Sequence, residues 1–223
     1  MRGVWSRIAA ALYGPVAWRR AADLTSRIAP HISGGRVLDL GAGSGHTAAL
    51  LRLWHGFFVT MLDVPPHPGA FGQRWIAQPI AALLAQRFNL SRYRYDGQTI
   101  PFPDHSFDTV LLAFVLHHCP DPERVLREAV RVSKGRLLVL EDTGGEARWG
   151  HSSWADALIN LEWNHPQQER TREEWLTLIA DCQLCVQHEQ GWTSHYGVPV
   201  AHTLFVLERE VVGEIPVAQA TPP

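Results

Sequence analysis

The sequence is poor in several features that mark particular protein classes. Its 223 residues include three cysteines and one lysine, Lys134, among 20 basic residues. No apolar run approaches the roughly 18–20 residues that cross a bilayer, so we expect no stable membrane insertion. Cys182 and Cys185 form one C-x-x-C pair without a second pair. This pattern favours ordinary thiols in a reducing compartment over a zinc or redox site, and we predict a cytoplasmic protein.

An excess of charge of one sign is also missing. The formal net charge is −2, which offers no overall basic field for a nucleic-acid backbone, so we expect no nucleic-acid partner. Hydrophobic residues make up 46% of the chain, and Gly and Pro occur in ordinary numbers. These values exclude disordered and low-complexity classes and favour one large domain, or a core domain with a small cap.

Apolar strand-like segments alternate with helical periodicity along most of the chain. Such alternation predicts an α/β fold with a doubly wound, mostly parallel seven-stranded sheet, helices on both faces and a helical cap. The last two strands have no helix between them, which predicts an antiparallel edge. The predicted strands are Arg36–Leu40, Phe57–Leu62, Ser91–Tyr95, Phe107–Phe114, Arg136–Leu140, Leu184–Glu189 and His202–Glu208. The main predicted helices between them are His46–Leu53, Trp75–Phe88, Pro122–Val132 and Arg172–Asp181.

The chain divides into five predicted parts. Residues 1–33 form N-terminal lid helices, in two pieces hinged at Gly14-Pro15. Residues 34–142 form the core, and 143–170 a cap insertion. Residues 171–210 complete the sheet, and 211–223 form a flexible tail. The arginine-rich start also resembles a transit peptide or an interfacial helix, but the Gly14-Pro15 break favours a lid.

A glycine-rich loop follows the first predicted strand. Gly41, Gly43 and Gly45 let the backbone turn tightly and let a ligand approach without meeting a Cβ atom. The dinucleotide fingerprint needs glycine where this chain has His46, which weakens a dehydrogenase interpretation. A P-loop lysine is absent as well.

Two acidic residues stand at the ends of the next two strands. Asp63 lies 22 residues past Gly41, where a carboxylate can accept both ribose hydroxyls of a nucleoside. Asp96 follows the third strand, where it can accept a hydrogen bond from an adenine amine. Because ligands bind outside the carboxyl ends of such strands, we expect these three strand ends to form one nucleoside site.

The segment Val37–Gly45 resembles motif I of the class I S-adenosylmethionine-dependent methyltransferases. Asp96–Asp108 and Leu116–Pro122 are similar to their segments before and after the fourth strand. The likeness covers about residues 34–142 and is closest to the small-molecule, type 11-like branch that includes quinone- and sterol-type enzymes. It implies a Rossmann-like methyltransferase fold, S-adenosyl-L-methionine as cofactor and S-adenosyl-L-homocysteine as product.

The resemblance also implies roles for individual residues. Asp39 and the glycine loop would line the methionine and ribose part of the cofactor, Asp63 would hold the ribose, and Asp96 and Gly97 would meet the adenine. This chain departs from the family at the fourth strand end, where members often carry Asn, Asp or Ser. The implied cofactor-binding residues are Asp39, Gly41, Ala42, Gly43, Gly45, Asp63, Val64, Asp96, Gly97, Ala113 and Phe114.

Methyl transfer by in-line displacement needs alignment and exclusion of water, and it needs a base only when the acceptor starts protonated. His117 and Glu141 are the candidate catalytic residues. No His pair at helical spacing has a third ligand, so we expect no metal. Tryptophans in the N-terminal and cap segments suggest an apolar pocket for a small, ring-bearing substrate. The candidate substrate-contacting residues are His117, His118, Asp142, Asn160 and His165.

The sequence leaves three functions to compare. The first is methyl transfer to a small metabolite by a monomer or homodimer. The second is a cofactor-binding protein of the same fold without turnover, such as a sensor or partner subunit, which the departure at Ala113-Phe114 keeps open. The third is an NAD-type dehydrogenase, which His46 disfavours.

Overall fold

The computed structural model describes residues 2–66, 72–144, 168, 170–195 and 199–209. Side chains of residues 2–13, 195 and 199 are not part of that description. The predicted tail and most of the predicted cap insertion, including Asn160 and His165, lie outside the described residues. Within the described residues, no helix is both long and apolar enough to cross a membrane.

One seven-stranded sheet organises the described chain, with the strand order β3-β2-β1-β4-β5-β7-β6. The first five strands run parallel, and β7 runs antiparallel between β5 and β6. This arrangement confirms the predicted mostly parallel sheet with an antiparallel edge. The strands are β1 Arg36–Leu40, β2 Phe58–Asp63, β3 Ser91–Arg94, β4 Phe107–Ala113, β5 Ser133–Asp142, β6 Leu184–His195 and β7 Pro199–Arg209.

Among the described residues, five α-helices cover the two faces of the sheet: α1 Arg2–Ile28, α2 His46–His55, α3 Gln78–Phe88, α4 Pro122–Val132 and α5 Arg172–Asp181. Local sequence sets several of their ends. Asp121 caps α4 by accepting from the backbone N–H of Arg124, and Thr171 with Glu174 forms the capping box that begins α5. A π-helical turn, Gln73–Ala77, leads into α3.

The alternating side chains of the central strands build two cores. On one face, Leu24 and Ile28 of α1 pack with α2 and α3 over β-strand residues such as Met61 and Leu140. On the other face, α4 and α5 pack over strand residues such as Leu38 and Val139. Since successive residues of a strand point to opposite faces, the last residue of each strand belongs to one face or the other.

The predicted hinge at Gly14-Pro15 is wrong, because α1 is one continuous helix with Pro15 inside it. Proline removes one backbone hydrogen bond, but its fixed φ is compatible with a helix. Ala17, Ala21, Leu24 and Ile28 recur at helical spacing and are buried, so packing outweighs that loss. The late strands are also longer than predicted, since β6 and β7 pair along almost their entire length.

Candidate active site

The glycine loop turns sharply where β1 ends. Gly41, Gly43 and Gly45 have φ values of 73°, 53° and 76°, which favour glycine. A Cβ atom on Gly41 would lie 2.5 Å from Val115 Cγ2, and one on Gly45 would lie 2.6 Å from Met61 Cε. Gly43 differs, because among the described residues its nearest neighbour would be the Gly41 carbonyl oxygen at 3.9 Å. Gly43 therefore borders open space that a ligand can enter.

Asp63 joins this loop to the end of β2. Its carboxylate accepts hydrogen bonds from the Gly43 N–H at 3.2 Å and from the Val64 N–H at 2.9 Å. Gln78 Nε2 donates to the same carboxylate at 3.2 Å, and Arg92 and Arg94 donate to the Gln78 carbonyl oxygen. The loop and the acid are thus in direct contact, as the nucleoside-site prediction requires of these two strand ends.

Asp39 brings a second carboxylate to the same face of the sheet. It is 3% exposed, and its Oδ2 has no hydrogen-bond partner among the described residues. Burial raises the pKa of Asp39 to about 7, and the nearby Asp63 charge adds to the rise. Burial also raises the pKa of Asp63 to about 6, against the hydrogen bonds that favour its anion. A buried carboxylate oxygen without a donor suits a ligand that brings its own N–H, O–H or cationic group.

The end of β3 completes this side of the site. Tyr95 N–H donates to the Asp63 carbonyl oxygen at 3.2 Å, so β3 and β2 end together. Asp96 is exposed, and the backbone N–H groups of Thr99 and Gln98 donate to its Oδ1, which lowers its pKa. Gly97 has a φ of 83°, and a Cβ atom there would lie 3.3 Å from Val64 Cγ1. A flat ring bound beside Gly97 would thus pack against Val64 and would meet no side chain at position 97.

The end of β4 forms the opposite side. Phe114 has a φ of 59°, and its N–H donates to the Leu140 carbonyl oxygen at 2.7 Å. The Arg20 guanidinium lies 4.6 Å from the centre of the Phe114 ring, and the His202 ring lies 5.1 Å from it. Ala113 and Phe114 offer a ligand no polar side-chain atom. Their backbone and the Phe114 ring are what this strand end contributes.

His117 and Glu141, the two predicted catalytic residues, contact each other on the face of the sheet opposite to Asp39 and Asp63. Glu141 is fully buried, and its Oε2 lies 2.6 Å from His117 Nδ1. Its Oε1 accepts from the Val115 and Leu116 N–H groups at 3.0 and 2.7 Å. Both oxygens are therefore engaged in holding the segment after β4. The His118 ring packs against His117 with centroids 3.9 Å apart.

Sequence reasoning assigned no role to Gln78, Ser194 or His202, and it did not predict the contact between Trp18 and His46. Gln78 supports Asp63, and Trp18 of α1 packs edge-on against His46 with ring centroids 4.7 Å apart. Burial lowers the pKa of His46 to about 4, so this ring is neutral near pH 7. His202 and Ser194 lie beside Asp142 at the edge formed by β5, β7 and β6. No local motif marks these residues, because their neighbours come from distant parts of the chain.

The described residues contain no group of three or more His, Cys, Asp or Glu side chains that could hold a metal ion. The hydrogen-bond acceptors that do converge beside Gly43, the carboxylates of Asp63 and Asp39, instead suit hydroxyls and a positively charged amine. These are groups of a nucleoside joined to an amino acid, so the residues present fit S-adenosylmethionine.

Residues 38–139 match the family described as a methyltransferase domain. An uncharacterized methyltransferase, YcgJ from Bacillus subtilis strain 168, is 28% identical over 170 residues, covering 70% of this chain and 60% of that protein. The ubiquinone/menaquinone biosynthesis C-methyltransferase UbiE of Stenotrophomonas maltophilia strain R551-3 is 34% identical over 137 residues, covering 60% of this chain and 51% of that protein. This chain thus spans between half and two thirds of these relatives.

The crystal structure of YcgJ from Bacillus subtilis has the same fold. It superposes with a TM-score of 0.59 at 21% identity, covering 86% of this chain and 98% of the YcgJ chain. The family match covers the glycine loop and the ends of the first four strands, where the candidate site lies. Residues 38–139 therefore match a methyltransferase domain, and the described chain has the fold of the S-adenosylmethionine-dependent methyltransferases.

Proposed function

We propose that this chain transfers the methyl group of S-adenosylmethionine to a small, apolar or aromatic metabolite by in-line displacement. The observation that carries this proposal is the contact between Gly43 and the Asp63 carboxylate, beside the unpartnered oxygen of Asp39. This arrangement leaves acceptors of hydrogen bonds around the open space at Gly43. The match of residues 38–139 to a methyltransferase domain supports the same conclusion.

Each side chain has a role that follows from its contacts. The Asp63 carboxylate, held by Gln78 and the Gly43 N–H, would accept from the ribose hydroxyls. Asp39 would accept a hydrogen bond from the charged amino group of the cofactor's methionine part, and Val64 would pack against its adenine ring. When bound, the cofactor supplies an activated methyl group on a sulfonium. The protein's part is then to align the acceptor with that methyl and to exclude water.

Residues of α1 and the β4–β7 edge support an apolar acceptor. The Phe114 ring, Trp18 and Trp192 all pack partly buried against the core on the α1 face. Several relatives are named as quinone C-methyltransferases, which supports a reduced quinone ring as one acceptor class. Within the described residues no carboxylate pairs with Arg20, so its guanidinium beside Phe114 is available to an acceptor oxygen.

The remaining segments of the chain also have roles in this function. Residues 1–33 act as a lid, 34–142 bind the cofactor, and 171–210 complete the sheet.

The protein acts in the cytoplasm as a monomer or homodimer, without a nucleic-acid partner. The three free thiols of Cys119, Cys182 and Cys185 are compatible with a reducing compartment. Light scattering on the purified chain tests the oligomeric state.

Calorimetry and a transfer assay together test the function. Wild-type protein should bind S-adenosylmethionine and S-adenosylhomocysteine, and radiolabelled methyl should pass to a member of a panel of phenols, quinols and amines. Binding with no transfer to any acceptor would favour the alternative, a cofactor-binding protein without turnover. The apolar β4 end at Ala113-Phe114 is the observation that favours that alternative. Tighter binding of NAD than of S-adenosylmethionine would overturn both.

A further inference from the structure

Ser194, His202 and Asp142 form a hydrogen-bonded chain at the edge of the sheet where the parallel strands end. Ser194 Oγ lies 2.7 Å from His202 Nε2, and Asp142 Oδ1 lies 2.6 Å from His202 Nδ1. The three residues come from β6, β7 and β5, which are neighbouring strands. Asp142 and His202 are direct pairing partners in the antiparallel ladder. The sheet itself therefore sets the geometry of the chain.

The hydrogen bonds define which ring nitrogen carries the proton. An ionised Asp142 can only accept, so His202 Nδ1 donates to it and Nε2 is left as an acceptor for the Ser194 hydroxyl. The neutral ring is then oriented to take a proton at Nε2. An imidazolium formed there would be stabilised by the Asp142 carboxylate.

This chain of residues lies on the same face of the sheet as the candidate cofactor site. Asp39 and Asp63 each follow by two residues a strand residue of the α1-side core, Val37 and Met61. Asp142 follows Leu140 of that core by two residues, and His202 precedes Leu204 by two residues on the antiparallel strand β7. Both sets of side chains therefore project from the α1 side of the sheet, at the edge where the parallel strands end. The His117–Glu141 pair lies on the other face, where Glu141 is closed off by backbone amides.

The surroundings of His202 are mostly apolar. His202 is 8% exposed, and its ring packs against Phe114 of the β4 end and against Trp192, with centroids 5.1 and 5.4 Å away. The charged groups beyond these rings are Arg20 over Phe114, and Arg27, paired with Asp23, over Trp192. Asp142 is the carboxylate in direct contact. Ser194 is partly exposed, and in the described part of the chain its hydroxyl bonds only to His202.

We propose that Ser194 and His202 remove the proton of a hydroxyl-bearing methyl acceptor, with Asp142 as the positioning residue. As the acceptor forms its bond to the methyl carbon, the carbon–sulfur bond breaks and its electron pair remains on sulfur. The acceptor's proton passes to Ser194 Oγ while the Ser194 proton moves to His202 Nε2. Solvent later takes the proton from the imidazolium. Ser194 is then the catalytic group that touches the acceptor, and His202 acts through it.

This inference rests on the proposed methyl transfer and adds an acceptor class: molecules whose hydroxyl must lose its proton during transfer. The two histidine–carboxylate pairs, His117–Glu141 and His202–Asp142, then have different roles. Glu141 has both oxygens engaged and holds the segment after β4, whereas the pair at His202 ends on a partly exposed hydroxyl. The Ser194 hydroxyl gives the second pair a route by which a proton can arrive from a ligand.

Steady-state kinetics of Ser194→Ala and His202→Gln test the inference. The acceptor probes are catechol, 4-hydroxybenzoate and chemically reduced 1,4-naphthoquinone, with radiolabelled S-adenosylmethionine, from pH 5.5 to 9. We expect kcat of His202→Gln to fall about 100-fold near pH 7, in the range of lost general-base catalysis. We also expect the acidic limb of the wild-type pH profile to disappear. Ser194→Ala should lower kcat with little change in cofactor affinity.

Two control variants separate a catalytic role from a structural one. Thr193→Ala removes a neighbouring hydroxyl that is exposed on the other face of β6, and His188→Gln removes an exposed histidine of the same strand. Both should keep the wild-type rate and pH profile. If Ser194→Ala and His202→Gln also keep them, the inference is overturned while the proposed function stands. If the wild-type protein methylates amines of the wider panel but none of these hydroxyl-bearing probes, the inference falls while the proposed function stands. Cofactor binding with transfer to no member of that panel would count against both.

Discussion

His117 and Glu141 form a buried hydrogen-bonded pair, with 2.6 Å between Nδ1 of the ring and Oε2 of the carboxylate. The other carboxylate oxygen accepts from the backbone N–H groups of Val115 and Leu116. Glu141 at the end of β5 therefore determines the path of the chain after β4. Gly41 touches this segment, because a Cβ atom there would overlap Val115. The glycine loop and the segment after β4 are packed as one unit.

Replacing Glu141 with Met should destabilise the protein strongly. Methionine has a similar length but no strong acceptor, so two backbone N–H groups and His117 Nδ1 lose their common partner in the interior. Unsatisfied buried donors of this kind cost about 2–5 kcal/mol in the free energy of unfolding. Urea unfolding measures the loss. The matched control, Glu123→Met, removes an exposed pair with Arg127, and an equal loss in both variants would contradict the proposed role of Glu141.

Replacing Asp63 with Ala should weaken the binding of S-adenosylmethionine by about 1–3 kcal/mol, because charge-assisted hydrogen bonds to the ribose are lost. Calorimetry with S-adenosylhomocysteine gives the same comparison without turnover. Asp104→Ala is a suitable control, because Asp104 is paired with Arg131 away from the glycine loop. Unchanged affinity in Asp63→Ala would remove Asp63 from the cofactor site.

Gly43→Ala and Gly56→Ala should separate backbone strain from ligand contact. Both glycines have positive φ, at 53° and 75°, so alanine costs about 1–2 kcal/mol at either place. Gly56 ends α2 and has nothing within 4 Å of a Cβ atom. Gly43→Ala should additionally lower cofactor affinity, since its methyl group enters the open space beside Asp63. Equal affinities in the two variants, measured by calorimetry, would argue against a ligand at Gly43.

The unliganded protein should lose stability relative to Asp39→Asn as the pH rises from about 4 to 7. The pKa of Asp39 is raised to about 7 in the folded protein, so the folded state binds a proton that the unfolded state has released. This contribution is complete below pH 4 and declines by about 1.4 kcal/mol per pH unit up to pH 7. Asp63, with a pKa raised to about 6, acts in the same direction.

The comparison with Asp39→Asn is needed because His46 acts in the opposite direction. Its pKa is lowered to about 4, so it adds stability as the pH rises from 4 to about 6.5. That contribution is common to wild type and variant and cancels in their difference. Thermal unfolding across this pH range provides the measurement, and a difference that does not change with pH would rule out a proton on Asp39.

Much of the fold was predictable because its signals are local. Apolar runs of strand length, the capping residues Asp121 and Thr171, and the glycine loop each depend on a few neighbouring residues. The same locality placed Gly43 and Asp63 at strand ends, and parallel strands bring their carboxyl ends to one edge. The continuous helix α1 was not predictable, since the local signal at Gly14-Pro15 competes with packing of buried residues further along the helix.

The sequence by itself therefore determined the elements, their order and the acids and glycines at the ends of the first strands. Only the tertiary structure decided which polar residues meet. Asp142 and His202 are 60 residues apart and become neighbours because β7 lies between β5 and β6. Likewise, Glu141 and Asp142 are adjacent in sequence, yet they serve opposite faces because strand side chains alternate. Contacts of this kind depend on strand order and face, which no short segment of the chain specifies.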